Sequence, residues 1–138
     1  MAARSQGGTP GKLYDLGRYE EAETTFGKED ALTALVKLLM ANGAARVLAV
    51  PVEEEADYPA AFALLGEQES VKVVVCDSQT LSVQQALRDQ VLADAQVRRE
   101  RIAVVPGGAE ESVSQLVAGP RNSTASGWCW WHRGYRKR

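Results

Sequence analysis

The chain has 138 residues, of which 45% are hydrophobic and 25% charged, enough for one domain with a buried core. That composition excludes a disordered or collagen-like chain, and the length excludes a two-domain enzyme. No run approaches the roughly 18 apolar residues of a membrane span, no charged-then-apolar opening marks a secretory leader, and two cysteines, Cys76 and Cys129, point to a reducing compartment.

The net charge of −2 conceals a split. Five of the 16 basic residues (Arg121, Arg133, Arg136, Lys137 and Arg138) lie in 119–138, which holds no acid. The body, 1–118, therefore carries 11 basic against all 18 acidic groups, a net −7. All three tryptophans and the single histidine sit in the basic tail. An acidic body disfavours binding to nucleic acid.

In chain order, Met1–Gly11 is rich in Gly, Ser, Thr and Pro and reads as a flexible lead-in. Lys12–Leu16 reads as a short strand and Tyr19–Phe26 as a short helix ended by Gly27. Asp30 is placed to cap an amphipathic helix carrying Leu32, Leu35, Val36, Leu38 and Leu39, which Asn42-Gly43 stops. Arg46–Val50 reads as a buried strand with Pro51 near its end. Glu53–Asp57 is an acidic connector, and Tyr58–Leu65 a helix closed by Gly66. Val71–Cys76 is apolar except for Lys72, as suits a parallel strand covered on both faces. A long helix over Leu81–Arg98, a strand over Ile102–Val105 ended by Pro106-Gly107-Gly108, and a helix starting at Glu110–Val117 complete the series. This alternation predicts a single α/β domain over 12–118, with a mostly parallel sheet, right-handed crossovers, and irregular tails at 1–11 and 119–138.

Candidate chemistry is sparse. Gly7-Gly8-Thr9-Pro10-Gly11-Lys12 resembles a phosphate loop only loosely, because Leu13 follows the lysine and no strand is expected before it. Asp77, with Ser78 and Thr80, follows a parallel strand, where α/β ligand sites usually lie. The same residues also suit a turn and a helix cap. Pro106–Glu111 opens a helix, but Glu110 and Glu111 occupy the turn an anion would use. Cys76 is expected to be buried and unreactive. Cys129 and His132 make at most half a metal site, and Glu53-Glu54-Glu55 reads as a solvated loop. No catalytic, cofactor-binding or metal-binding residue is assigned, and no cofactor is expected.

Several stretches resemble contractile tail sheath proteins of phages and phage-like particles: Tyr14–Gly27 (YDLGRYEEAETTFG), Ala31–Val50 (ALTALVKLLMANGAARVLAV) and Val71–Val117, where sheaths often read ERIGVVG and then E(S/T)V…LV. The resemblance spans about Tyr14–Ala118. It implies a structural subunit that polymerises helically around a tail tube and shortens to drive the tube through an envelope. The implied partners are other sheath subunits and the tube protein. The implied location is the virion tail, after assembly in the host bacterial cytoplasm.

The tail departs from that family. A sheath continues with an apolar strand, typically LNSERVVLV, whereas this chain reads GPRNSTASGWCWWHRGYRKR. Reading the coding bases of Trp128-Cys129-Trp130-Trp131-His132 two bases later forces Val-Leu-Val-Ala whatever codons are used. Permitted codons extend the match to GAAQLNSERVVLVAPGVPEA. The expectation is a frame slip that leaves a sheath fragment unable to assemble, with 119–138 outside the core. A small α/β enzyme or nucleotide-binding domain is the alternative reading, and nucleic-acid binding through Arg121–Arg138 a third.

Overall fold

The computed structural model describes residues 1–107 and the backbone of one further strand, Trp128–Trp131. Among the described residues six strands and four helices follow in the order β1 (Ala2–Arg4), β2 (Tyr14–Leu16), α1 (Tyr19–Phe26), α2 (Ala31–Ala41), β3 (Val47–Val52), α3 (Tyr58–Gly66), β4 (Val73–Val75), α4 (Leu81–Gln96), β5 (Ile102–Pro106) and β6 (Trp128–Trp131). A 3-10 turn over Glu55–Asp57 precedes α3. The expected α/β class is what forms.

Local chemistry fixes the helix ends. Glu21 reaches back to accept from the backbone N–H of Gly17 (2.8 Å), which holds the start of α1. Asp30 accepts from Leu32 N at 2.9 Å as the α2 cap. Its second oxygen takes the N–H of Gln6, also at 2.9 Å, and so ties the loop after β1 to this helix. Asn42 closes α2, its side-chain amide donating to the Leu38 carbonyl at 2.7 Å.

The strands form two triplets, β1-β3-β2 and β4-β5-β6. A parallel bridge between Ala2 and Cys76 joins them, giving the lateral order β2-β3-β1-β4-β5-β6. Among the described strands only β2 runs antiparallel to its neighbour. Pro51 is tolerated inside β3 because its missing N–H lies on the β2 side, beyond the last β2 pair at Tyr14–Ala49. The neighbouring Val50 N–H donates to Met1 O on the β1 side.

Alternation divides the core into two layers. On one face Ala2, Val50, Val52, Val74, Cys76, Ala103 and Val105 meet Tyr58, Phe62 and Leu65 of α3 and Val83, Leu87 and Val91 of α4. On the other, Ala3, Leu16, Val47 and Ala49 meet Ala22 and Phe26 of α1 and Leu32 and Val36 of α2.

Three expectations need correction. Met1–Gly11 is not a lead-in: Ala2–Arg4 is the strand joining the two triplets, and Met1, Ala2 and Ala3 are buried. Alanine is a weak strand former, so the segment gave no signal. Its place comes from pairing with Val50–Val52, because two small side chains let helices approach both faces. Next, the expected strands at 46–50, 71–76 and 102–105 all form, but β3 is separated from β4 by β1. Finally, 119–138 is not wholly outside the sheet, since Trp128–Trp131 pairs in parallel with Ala103–Pro106 as an edge strand. Four apolar residues suited to a strand outweigh their Gly-rich, basic flanks. They satisfy the row of donors and acceptors on the outer edge of β5. The helix expected at Glu110–Val117 lies outside the described residues.

Candidate functional site

The carboxyl ends of β3, β1 and β4 meet where the chain reverses its lateral direction, the place where open α/β sheets usually bind ligands. Each strand end leads into a polar turn. β1 delivers Arg4, β3 leads to Glu55 and Tyr58, and β4 leads through Cys76 to Asp77, Ser78 and Thr80.

These groups are spent on one another. Asp77 accepts from the Arg4 backbone N–H at 3.0 Å and from the Tyr58 hydroxyl. Burial, and then the Asp77 carboxylate, push the Tyr58 phenol well above its ordinary range, so it remains a donor at any physiological pH. Glu55 accepts from the Thr80 hydroxyl at 2.6 Å and pairs with the Arg4 guanidinium at 3.4 Å. Ser78 accepts from Thr80 N at 3.2 Å. Gln84, buried on α4, donates to the carbonyls of Ser78 (3.1 Å) and Pro106 (3.0 Å), which locks the loop after β4 to the end of β5. Asp77 therefore organises a turn, as its neighbours in sequence suggested, and among the described residues no set of carboxylates gathers beside it to hold a metal.

The glycine loop does follow a strand, contrary to the sequence reading, but it runs into β2 instead of opening a helix. Its glycines are needed for packing. A methyl group on Gly7 would sit 2.3 Å from the Phe26 carbonyl oxygen and 2.6 Å from Phe26 Cα. Gly8, at φ +77°, lies against the Phe26 ring. The loop amides are used locally: Thr9 N–H donates to the Tyr14 hydroxyl at 2.9 Å, and Gly11 N–H to the Pro51 carbonyl at 2.9 Å.

Cys76 is buried, and burial raises its thiol to about 12, which keeps it protonated at neutral pH. Among the described residues no three His, Cys, Asp or Glu side chains gather as a metal-binding set, Glu53–Glu55 included. No described helix is long and apolar enough to cross a membrane. Gly108–Glu111, His132 and the basic groups Arg121, Arg133, Arg136, Lys137 and Arg138 lie outside the described residues, as does the side chain of Cys129.

Sequence reading missed a buried ion pair at the opposite end of the sheet. Arg101 pairs with Asp94 at 3.1 Å and donates to the carbonyls of Leu65 (2.7 Å), Gly66 (2.8 Å) and Gln68 (2.8 Å), capping the carboxyl end of α3. A signal was present: Asp94 continues the inward row Val83, Leu87, Val91 of α4, where a charge demands a partner.

No protein-family model matches this chain, and no curated relative does. A solved structure does. The fold is similar to a chain of the contracted helical sheath of the anti-feeding prophage, with a TM-score of 0.65 over 95% of this chain at 14% sequence identity. The fold is sheath-like. This chain spans 38% of the length of that sheath chain.

Proposed function

We propose that this chain is a structural portion of a contractile tail sheath subunit, which assembles with like subunits around a tail tube and carries out no chemistry of its own. The observation that carries the reading is the likeness of fold to a phage-like sheath across nearly all of the chain. The closed hydrogen-bond network at the sheet's reversal point supports it, because the place where an α/β enzyme would hold substrate is filled by Arg4, Glu55, Tyr58, Asp77 and Thr80. The work of such a subunit resides in contacts between copies.

The coding DNA and its neighbourhood test the reading. A sheath gene is expected to read on in the alternative frame beyond Trp128, with a tail-tube gene close downstream. Co-expression of the frame-restored product with that tube protein should give tubular assemblies in electron micrographs. A locus with neither feature, or turnover of nucleotides, esters or phosphoesters that Asp77→Ala abolishes, would count decisively for an enzyme instead.

A further inference from the structure

We propose that Asn42-Gly43 is a self-modification site: the backbone nitrogen of Gly43 displaces ammonia from the Asn42 side chain, and the folded end of α2 holds that reaction in check. This is the one Asn-Gly pair in the sequence, and both residues are exposed. Glycine leaves the attacking nitrogen accessible because no Cβ shields it. The space around it is open too, since a methyl group on Gly43 would meet nothing within 4 Å. The step balances without a catalyst. Gly43 N gives up its proton to solvent and bonds to Asn42 Cγ, the Cγ–Nδ2 bond breaks, and Nδ2 takes a proton and leaves as ammonia. Water then opens the cyclic imide at either carbonyl, giving aspartate or its isoaspartyl isomer.

In the folded chain the ring cannot close. Closure needs Asn42 Cβ and Gly43 N to eclipse each other about the Cα–C bond. At the Asn42 ψ of 15° it is the Asn42 nitrogen that Gly43 N nearly eclipses, so the attacking atom points away from Cγ. Gly43, at φ +99°, donates its N–H to the Met40 carbonyl at 3.0 Å, and Ala44 N–H donates to the Leu39 carbonyl at 3.1 Å. That pair of bonds is a common glycine-closed helix end. The leaving amide is tied as well, donating to the Leu38 carbonyl at 2.7 Å. All three bonds lie in the last turn, so breaking them leaves Leu32, Thr33 and Val36, the buried row of α2, in place. Local opening of this kind costs far less than global unfolding. The product then opposes reclosure. The aspartate has no N–H for the Leu38 carbonyl and sets a negative charge at the negative end of the helix dipole. The isoaspartyl form also lengthens the backbone by one methylene. A copy whose α2 end has stayed open is therefore marked irreversibly.

Mass spectrometry of the tryptic peptide Leu38–Arg46 tests it, on the full chain aged at mildly alkaline pH, native in one sample and unfolded in urea in another. The unfolded chain should accumulate the acid and isoaspartyl forms. The native chain should do so about tenfold or more slowly, the protection that roughly 1.4 kcal/mol of local opening provides. At urea concentrations below the unfolding transition the native rate should stay nearly flat, because fraying of one turn exposes little surface. Asn42→Gln, which would have to close a larger ring, should stay unmodified even in urea. Asn42→Asp, the acid product made genetically, should melt below the wild type. A native chain that reacts as fast as the unfolded one would overturn the proposal, as would an unfolded chain that does not react. So would a native rate that climbs with urea as steeply as global unfolding, modification of Asn42→Gln at the wild-type rate, or an Asn42→Asp chain that melts like the wild type.

Discussion

Arg101 spends its guanidinium on three carbonyls at the end of α3 and on the Asp94 carboxylate, all within a side chain that is almost fully enclosed. Removing one partner of such a pair strands the other charge in the core, which costs about 3–5 kcal/mol. Arg101→Ala is therefore expected to lower stability by that amount in urea titrations, with Arg101→Lys between it and the wild type because an ammonium cannot span all four acceptors. The amino group of Met1 is a second buried ionisable group. It donates to the Leu48 carbonyl, and burial lowers its pKa to about 5 from an ordinary value of 8.0. In the unfolded chain it stays protonated up to the higher value, so the unfolded state holds more protons between pH 5 and 8. For a chain that begins at Met1, stability from this group is then full above pH 8, declines as pH falls towards 5 and is level below that. The span is on the order of 4 kcal/mol. The slope should vanish in an N-acetylated chain, where no amine titrates. At this scale the sequence spoke clearly only where the partner is local. Asp30 and Asn42 were readable as caps because they bond within a few residues. Arg101 and Tyr58 were not, because Leu65 and Asp77 become their neighbours only through the fold.

Helices α1 and α2 were readable almost residue by residue, since Gly27, Asp30 and Asn42-Gly43 punctuate them. Strands fared unevenly. Apolar β-branched runs announce β3, β4 and β5, whereas Ala-Ala-Arg in β1 and Trp-Cys-Trp-Trp in β6 carry no alternation to detect. The glycine loop between β1 and β2 shows how one motif admits two readings. Its spacing invited a phosphate, and its geometry assigns it to the back of Phe26, whose ring also meets Tyr14 edge-on at 5.1 Å. Gly7→Ala is expected to cost about 1–3 kcal/mol, since backbone must move to admit the new carbon. Thermal melting measures this. A variant as stable as the wild type would show that the loop is free to shift away from α1.

Across the whole molecule, the largest gap in the sequence reading was the sheet's middle strand. Treating 1–11 as a lead-in predicts that deleting residues 1–4 is harmless. The structure predicts the reverse, because Ala2 and Ala3 pair with β3, Ala2 bridges to Cys76, and their side chains lie in both core layers. The truncated chain is expected to show no cooperative unfolding transition, since it loses the strand that links the two three-stranded halves, and total stabilities of domains this size are only about 5–15 kcal/mol. A truncated chain with a sharp, near-normal melt would restore the lead-in. The candidate site was more legible than the fold around it. Asp77 and Ser78 were readable as turn residues, whereas Thr80 stands at the N-cap position of α4 without capping it and gives its hydroxyl to Glu55; the structure adds Arg4 and Glu55 to the network.

The position of β1 also imposes an order in time. During synthesis Ala2–Arg4 leaves the ribosome well before its partners at Val50–Val52 and Cys76. Until β3 emerges, the strand destined for the middle of the sheet has both edges bare. Closing the long loops that bring these partners together carries an entropic cost that must be met before any pairing enthalpy is gained. The two helices that form meanwhile, α1 and α2, are local and quick. They can gather the loop after β1 through Asp30 and Phe26 before any strand is paired. Folding is thus expected to wait on the arrival of β3, with the nascent chain held compact by a helical hairpin whose own contacts foreshadow where the first strand will lie.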